Sequence, residues 1–160
     1  MEPAATRVGC SREYKSSRIE RGTIIVPDSP NGRVLRVSAD AKSTRVLATG
    51  LLRPTAAAID PDGSLIVADE LANAVLHIRA DGHFESLGHF ATPDDVVVDA
   101  VGNIFVASLG DNSIRMIDAR DGAIRLIASI RTPQGIIVDT SGNLVVTEAS
   151  LNRIVRLTIR

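Results

Sequence analysis

Apolar residues in this chain gather in short unbroken runs: Ala56–Ile59, Leu65–Ala68, Val96–Val98, Ile104–Ala107, Ile136–Val138 and Leu144–Val146. They do not recur at the i, i+3, i+4, i+7 positions of a helical face, and Gly or Pro interrupts every window long enough for a helix. Runs this short fit strands buried on both faces. The runs come in pairs, and the turn joining each pair opens on an aspartate and closes on a glycine: Asp60 and Gly63, Asp99 and Gly102, Asp139 and Gly142. An aspartate can accept hydrogen bonds from turn N–H groups and glycine takes positive φ without strain, so these six read as structural turn residues. A third strand is predicted over Val75–Arg79, Ile114–Asp118 and Ile154–Ile159. Each follows a loop ending on Asn73, Asn112 or Asn152, a residue type that tolerates left-handed backbone, and Gly32 holds that place before Arg33–Val37. A less regular fourth strand covers Thr44–Ala48, Phe84–Gly88 and Ala123–Ala128.

The four-strand unit repeats. Leu51–Asp69 reads LLRPTAAAIDPDGSLIVAD, and the pattern returns from Thr92 as TPDDVVVDAVGNIFVAS and from Thr132 as TPQGIIVDTSGNLVVTE. Pro54, Pro93 and Pro133 stand 39 and 40 residues apart, and Gly63, Gly102 and Gly142 keep both intervals. A period of about 40 built from four short strands marks a β-propeller, an all-β fold of four-stranded antiparallel blades around an axis. An earlier repeat begins at Gly22, where GTIIVPD aligns with GSLIVAD at Gly63. Its opening strand belongs near Arg12–Ile19, but REYKSSRI has neither the proline nor an apolar run, so that strand is expected to be missing or replaced. The predicted organisation is an N-terminal arm over 1–21 and a propeller repeat domain over 22–160, with blades at about 22–53, 54–92, 93–132 and 133–160. Fourteen strands are predicted, as three, four, four and three. The last blade stopping after three strands reads as a genuine end, and the front of the chain reads as incomplete.

Composition narrows the function classes. The chain has 160 residues, 44% apolar content and a formal net charge of −1, enough for a sizeable core and without the basic density of a nucleic-acid or anionic-membrane surface. Tyr14, Phe84, Phe90 and Phe105 are its only aromatics, too few for base- or sugar-stacking platforms. Cys10 is the sole cysteine, which excludes an intrachain disulfide or a thiolate metal cluster. The first 21 residues hold no apolar core of signal-peptide length and no later window approaches a membrane span, so the chain reads as soluble and cytoplasmic.

The pattern P-x-G, three apolar residues, D-x-x-G-N, then V-T-E and N-R, clearest from Pro133 to Ile154, resembles the NHL repeat and the blades of the gluconolactonase/senescence-marker-protein superfamily. The resemblance runs from Gly22 to Arg160. It implies a propeller usually of about six blades, of which this chain supplies an incomplete arc. It also implies that the residue after each repeat proline, here Thr55, Asp94 and Gln134, begins an innermost strand and faces the channel mouth. In gluconolactonase-like enzymes an Asn or Asp at that place binds a divalent cation, calcium or zinc, together with a glutamate from an early blade. Asp94 fits that role and Gln134 offers a neutral oxygen. Asp95 replaces the usual glycine, and the blade that would bring the glutamate is absent.

Other polar positions read as structural. Asp28, Asp69 and Glu148, with Ser108 in the equivalent place, end the second strand and are expected to cap the following loop. His77, His83 and His89 have no Asp or Ser partner at motif spacing and are expected at the surface. No nucleophile elbow, P-loop or dinucleotide fingerprint is present. Two functions follow: a propeller module that binds a protein or small-molecule partner through its loops and channel mouth, or a portion of a metal-dependent lactonase-like hydrolase. An open arc also exposes its two end faces, so a homo-oligomer, or the remainder of a longer propeller, is expected to cover them.

Overall fold

The computed structural model describes residues 19–20 and 22–159, so the predicted arm over 1–21 lies outside the described residues except for Ile19 and Glu20. The first sheet runs β1 (Ile19–Glu20), β2 (Thr23–Asp28), β3 (Arg33–Ser38) and β4 (Thr44–Thr49). The second runs β5 (Pro54–Ile59), β6 (Leu65–Asp69), β7 (Ala74–Ile78) and β8 (Phe84–His89). The third runs β9 (Pro93–Val98), β10 (Ile104–Ser108), β11 (Ser113–Ile117) and β12 (Ile124–Ser129), and the fourth holds β13 (Pro133–Val138), β14 (Leu144–Glu148) and β15 (Arg153–Leu157). Every pairing is between sequence neighbours and antiparallel, which makes each sheet one blade. Two short 3-10 turns, Ser29–Asn31 and Ala149–Leu151, are the only helical pieces among the described residues, and none is long and apolar enough to cross a membrane.

The first blade corrects the predicted strand count. Its opening strand exists in reduced form, with β1 paired to β2 through Ile19↔Ile24 and Glu20↔Thr23. A two-residue ladder needs backbone groups alone, so the proline and apolar run of the other opening strands are dispensable there.

Packing explains the unbroken apolar runs. The blades stack with β2 against β5, β5 against β9 and β9 against β13. Side chains alternate faces along a strand. In β6, Leu65 and Val67 enter the core shared with Ile25 and Val34 of the first blade, whereas Ile66 and Ala68 enter the core shared with Phe90, Val96 and Val106. In β10, Ile104 and Val106 face back into that core, and Phe105 and Ala107 face forward to Ile136, Leu144 and Val146. A strand sandwiched in this way has no solvent face to make polar. The fourth blade does: Ile137 and Ile154, alternating with the inward Ile136 and Val155, are 59% and 70% exposed.

The loops are set by backbone conformation. Asn73, Asn112 and Asn152 adopt φ of 50°, 54° and 48°. The Asn73 and Asn112 side chains then accept the N–H of Thr92 (2.9 Å) and Thr132 (2.8 Å), tying each blade to the start of the next. Gly102 closes its turn at φ 91°, where an added Cβ would meet only Ala119 at an ordinary 3.5 Å. Gly102→Val therefore carries a purely conformational cost, expected at about 1–3 kcal/mol in a urea titration. An unchanged midpoint would refute the assigned turn geometry.

Candidate functional site

Each opening strand begins with a proline and then breaks register. The β5–β6 pairing jumps from Pro54↔Asp69 to Ala56↔Ala68, β9–β10 from Pro93↔Ser108 to Asp95↔Ala107, and β13–β14 from Pro133↔Glu148 to Ile136↔Val146. Thr55, Asp94 and Gln134 thus occupy β-bulges at equivalent places on three adjacent inner strands. A bulge bends the strand and re-aims side chains, which is why bulges collect at rims and sites.

The three residues stand in different surroundings. Thr55 is buried, and its hydroxyl donates between the carbonyls of Pro93 (3.0 Å) and Ala68 (3.3 Å). Asp94 is buried and Gln134 is exposed. Asp95, in the position where the resemblance calls for glycine, accepts Val96 N–H (2.9 Å) and, across the blade boundary, Ile136 N–H (2.9 Å). Ser29 Oγ likewise donates to the Pro54 carbonyl, so the same rim is stitched from the first blade to the fourth.

These bonds decide what the rim can hold. A hard cation takes about six oxygen ligands, and zinc prefers His and Cys. Among the described residues the rim's side-chain oxygen donors are the Thr55 hydroxyl, the Asp94 and Asp95 carboxylates and the Gln134 amide, with Thr55 and Asp95 also bonded between blades. That donor set does not fit a resident calcium or zinc ion. Below the bulges, the stretches Ala56–Ala58, Val96–Val98 and Ile136–Val138 wall an axial groove of about 340 Å³, with Asp95 its only charged lining residue.

The loop-end acids bind backbone and arginine. Asp69, 1% exposed, accepts Leu52 and Arg53 N–H at 2.8 Å each. Glu148 accepts Arg131 N–H (3.0 Å) and Arg153 Nε (2.6 Å), and Asp28 accepts Arg33 Nε (2.6 Å). Ser108 Oγ is fully buried and finds no partner among the described residues. In the turns, Asp99 accepts Val101 and Asn103 N–H, and Asp139 accepts Ser141 and Asn143 N–H. Asp60 differs: its backbone closes the turn with Gly63 and Ser64, but its carboxylate takes no turn N–H, and Asp62 accepts Ser64 N–H (2.8 Å) instead.

Sequence spacing missed what this frees. His77, expected at the surface without an Asp or Ser partner, is only partly exposed, and its Nε2 lies 2.6 Å from Ser64 Oγ. The ligand atoms of Asp60, Asp62 and His77 lie within 4.8 Å of one another, a group able to hold a metal ion. Burial, and then the Asp62 charge, push the Asp60 carboxyl up, against a smaller opposite pull from His77. His83 and His89 are exposed.

Elsewhere carboxylates are stabilised as anions. Asp118 is held well below the usual range by the Arg120 side chain, then by Arg120 N–H and the Arg120 and Arg125 charges. Glu148 is lowered first by Arg153 and Asp139 first by Asn143 N–H. Depressed folded-state values stabilise the fold above the unfolded carboxylate pKa, about 4, and that stability is lost as pH falls through the folded values. Asp60 acts with the opposite sign, but alone. The melting temperature is expected to fall on acidification below about pH 4; a flat or rising profile in scanning calorimetry would contradict these ion pairs.

Four antiparallel blades around an axial groove define an arc of a β-propeller, and solved structures with that fold match it. No family model and no curated protein sequence matches the chain. The chain is similar to a gluconolactonase from Xanthomonas campestris (TM-score 0.78, 19% identity, 86% of this chain and 55% of that one). It is also similar to a chain of the nidogen/laminin complex (0.74, 22%, 84% and 54%). A third likeness is to virginiamycin B lyase from Staphylococcus aureus, in its inactive H270A form with quinupristin (0.70, 20%, 91% and 52%). The chain spans about half the length of each, and the likeness is one of fold.

Proposed function

We propose that this propeller segment is a binding module that takes an apolar group of a small molecule or protein into the axial groove, with the bulged rim of Asp94 and Gln134 contacting polar atoms around it. The observation that carries this reading is the groove. Its volume falls at the low end of the roughly 300–1,000 Å³ of ligand pockets, and its walls interleave aliphatic surface with polar backbone atoms of the three inner strands, with Asp95 the one charged lining residue. Among the described residues the rim has no histidine and no cysteine, and the fold itself serves unrelated activities. The competing reading, a portion of a lactone hydrolase using a cation at Asp94, is supported by the likeness to a gluconolactonase. The two separate in one assay. Gluconolactone hydrolysis with added calcium is expected to stay at the buffer rate, and calorimetry with calcium to show no heat dependent on Asp94. Turnover abolished by Asp94→Ala would replace binding with hydrolysis.

The same reading extends to assembly. The 160-residue chain is expected to self-associate through the outer face of the fourth blade, because Ile137 and Ile154 stand on a sheet face that no other sheet covers among the described residues. Ile154→Asp should return it to a monomer. Light scattering coupled to size exclusion checks this, and a monodisperse wild-type monomer would refute it.

A further inference from the structure

The second, third and fourth blades carry the same turn, and the group beside its aspartate differs from blade to blade in a telling way. In the fourth blade the position is filled by a cation: Arg156 of β15 reaches the Asp139 carboxylate with Nε at 3.0 Å and Nη2 at 2.8 Å. In the third it is filled by an amide, with Asn103 Nδ2 donating to Asp99 Oδ2 at 2.8 Å. In the second blade three residues depart from that pattern together. Ser64 replaces the asparagine and is too short to reach Asp60, bonding Asp62 Oδ1 (2.6 Å) and His77 instead. His77 stands where the fourth blade has its arginine, and Asp62 adds a second carboxylate where the other turns have Val101 and Ser141. The slot that the fourth blade fills with its own guanidinium is here lined by two carboxylates and an imidazole.

We propose that Asp60, Asp62 and His77 bind a divalent transition-metal ion of the zinc type. The site lies at the opposite end of β5 from Thr55, so it is separate from the groove rim and from any cation at Asp94. The donor chemistry selects the ion: one imidazole nitrogen with two carboxylate oxygens is a three-ligand zinc set that leaves a fourth position for water, whereas calcium avoids imidazole. The ligand atoms are within 4.8 Å of one another, and donors around a tetrahedral zinc stand about 3.4 Å apart, so closing on the ion asks for side-chain rotation of the order of 1 Å. Asp62 is exposed at the turn and Asp60 and His77 are partly exposed, which gives both an entry path and freedom to rotate. On the far side of the imidazole, Glu85 Oε2 lies 4.0 Å from Nδ1 while also bonding Arg79 (3.0 Å); it is placed to orient the ring when Nε2 turns from Ser64 to the metal. Two carboxylates at close range repel, and a bound cation would relieve that repulsion while filling the place that Arg156 takes beside Asp139.

The test is calorimetric titration of the full chain with zinc at about pH 7.5, above the ordinary histidine pKa of about 6.5. One zinc per chain is expected, together with a raised melting temperature and, with cobalt in place of zinc, the visible absorption of a tetrahedral site. Asp60→Asn and His77→Gln should each weaken zinc binding by about tenfold or more and abolish the cobalt band, with far-ultraviolet dichroism confirming that both variants fold. Asp94→Ala should bind zinc as the wild type does. No zinc heat at millimolar concentration, or an affinity unchanged in both folded variants, would overturn the proposal, as would loss of binding in Asp94→Ala alone.

Discussion

Phe105→Ala is expected to cost about 3–5 kcal/mol of unfolding free energy, among the largest losses from a single truncation in this chain. Phe105 sits in the middle of β10, 1% exposed, and projects forward into the core that joins the third blade to Ile136, Leu144 and Val146 of the fourth. With so few aromatics in the sequence, nothing else of comparable size fills that interface, and the opposing aliphatic side chains cannot collapse onto the space left behind. In a repeat protein, blade stability depends on the interface with its neighbours. The loss should therefore fall first on the fourth blade, whose amides in β13 and β14 would exchange faster than those of β6. Phe84 provides the contrast: it is 37% exposed at the start of β8, and Phe84→Ala should cost less than about 1 kcal/mol. Equal shifts of the urea midpoint in the two variants would show that the blade interface is not where the core lies.

Asp69→Ala is the second large effect, expected at about 2–4 kcal/mol. The carboxylate is buried at the end of β6 and accepts Leu52 and Arg53 N–H, so its removal loosens the chain where it passes from the first blade into the second. Asp69→Asn retains one acceptor oxygen and should fall between wild type and alanine. The equivalent residue of the third blade gives the opposite sign. Ser108 Oγ is buried without a partner among the described residues, so Ser108→Ala is expected to be neutral or stabilising by up to about 1 kcal/mol. Chemical denaturation of the three variants checks the set, and a neutral Asp69→Ala would remove the capping role.

The blades were legible in the sequence because each strand answers to both neighbours at once. Residues such as Leu65–Ala68 have no solvent face, which leaves a continuous apolar run, and the turn between runs fixes a glycine at a constant offset. β1 left no such trace, since two residues of backbone ladder demand nothing of side chains. At the rim, the proline marked Thr55, Asp94 and Gln134, but the role of Asp95 was hidden: its partner, Ile136 N–H, is 41 residues away across a blade boundary. The His77 cluster was hidden for a different reason. Asp60 and His77 are 17 residues apart, a spacing that belongs to no short motif, and the same separation joins Asp139 to Arg156. Aligning the repeats on their third strands as well as their turns would have exposed it.

The most direct test of the groove as a binding surface is an amide- and methyl-resolved nuclear magnetic resonance titration of the chain with a panel of small aliphatic and aromatic fragments. Bound fragments should shift the backbone amides of Ala57, Val97 and Val138, together with the nearest groove methyls, in a saturable way and leave the signals of Ile25 and Val34, buried between the first two blades, unmoved. Fragments that bind only at the exposed fourth-blade residue Ile154, or no saturable shift at the groove signals with any fragment, would contradict it.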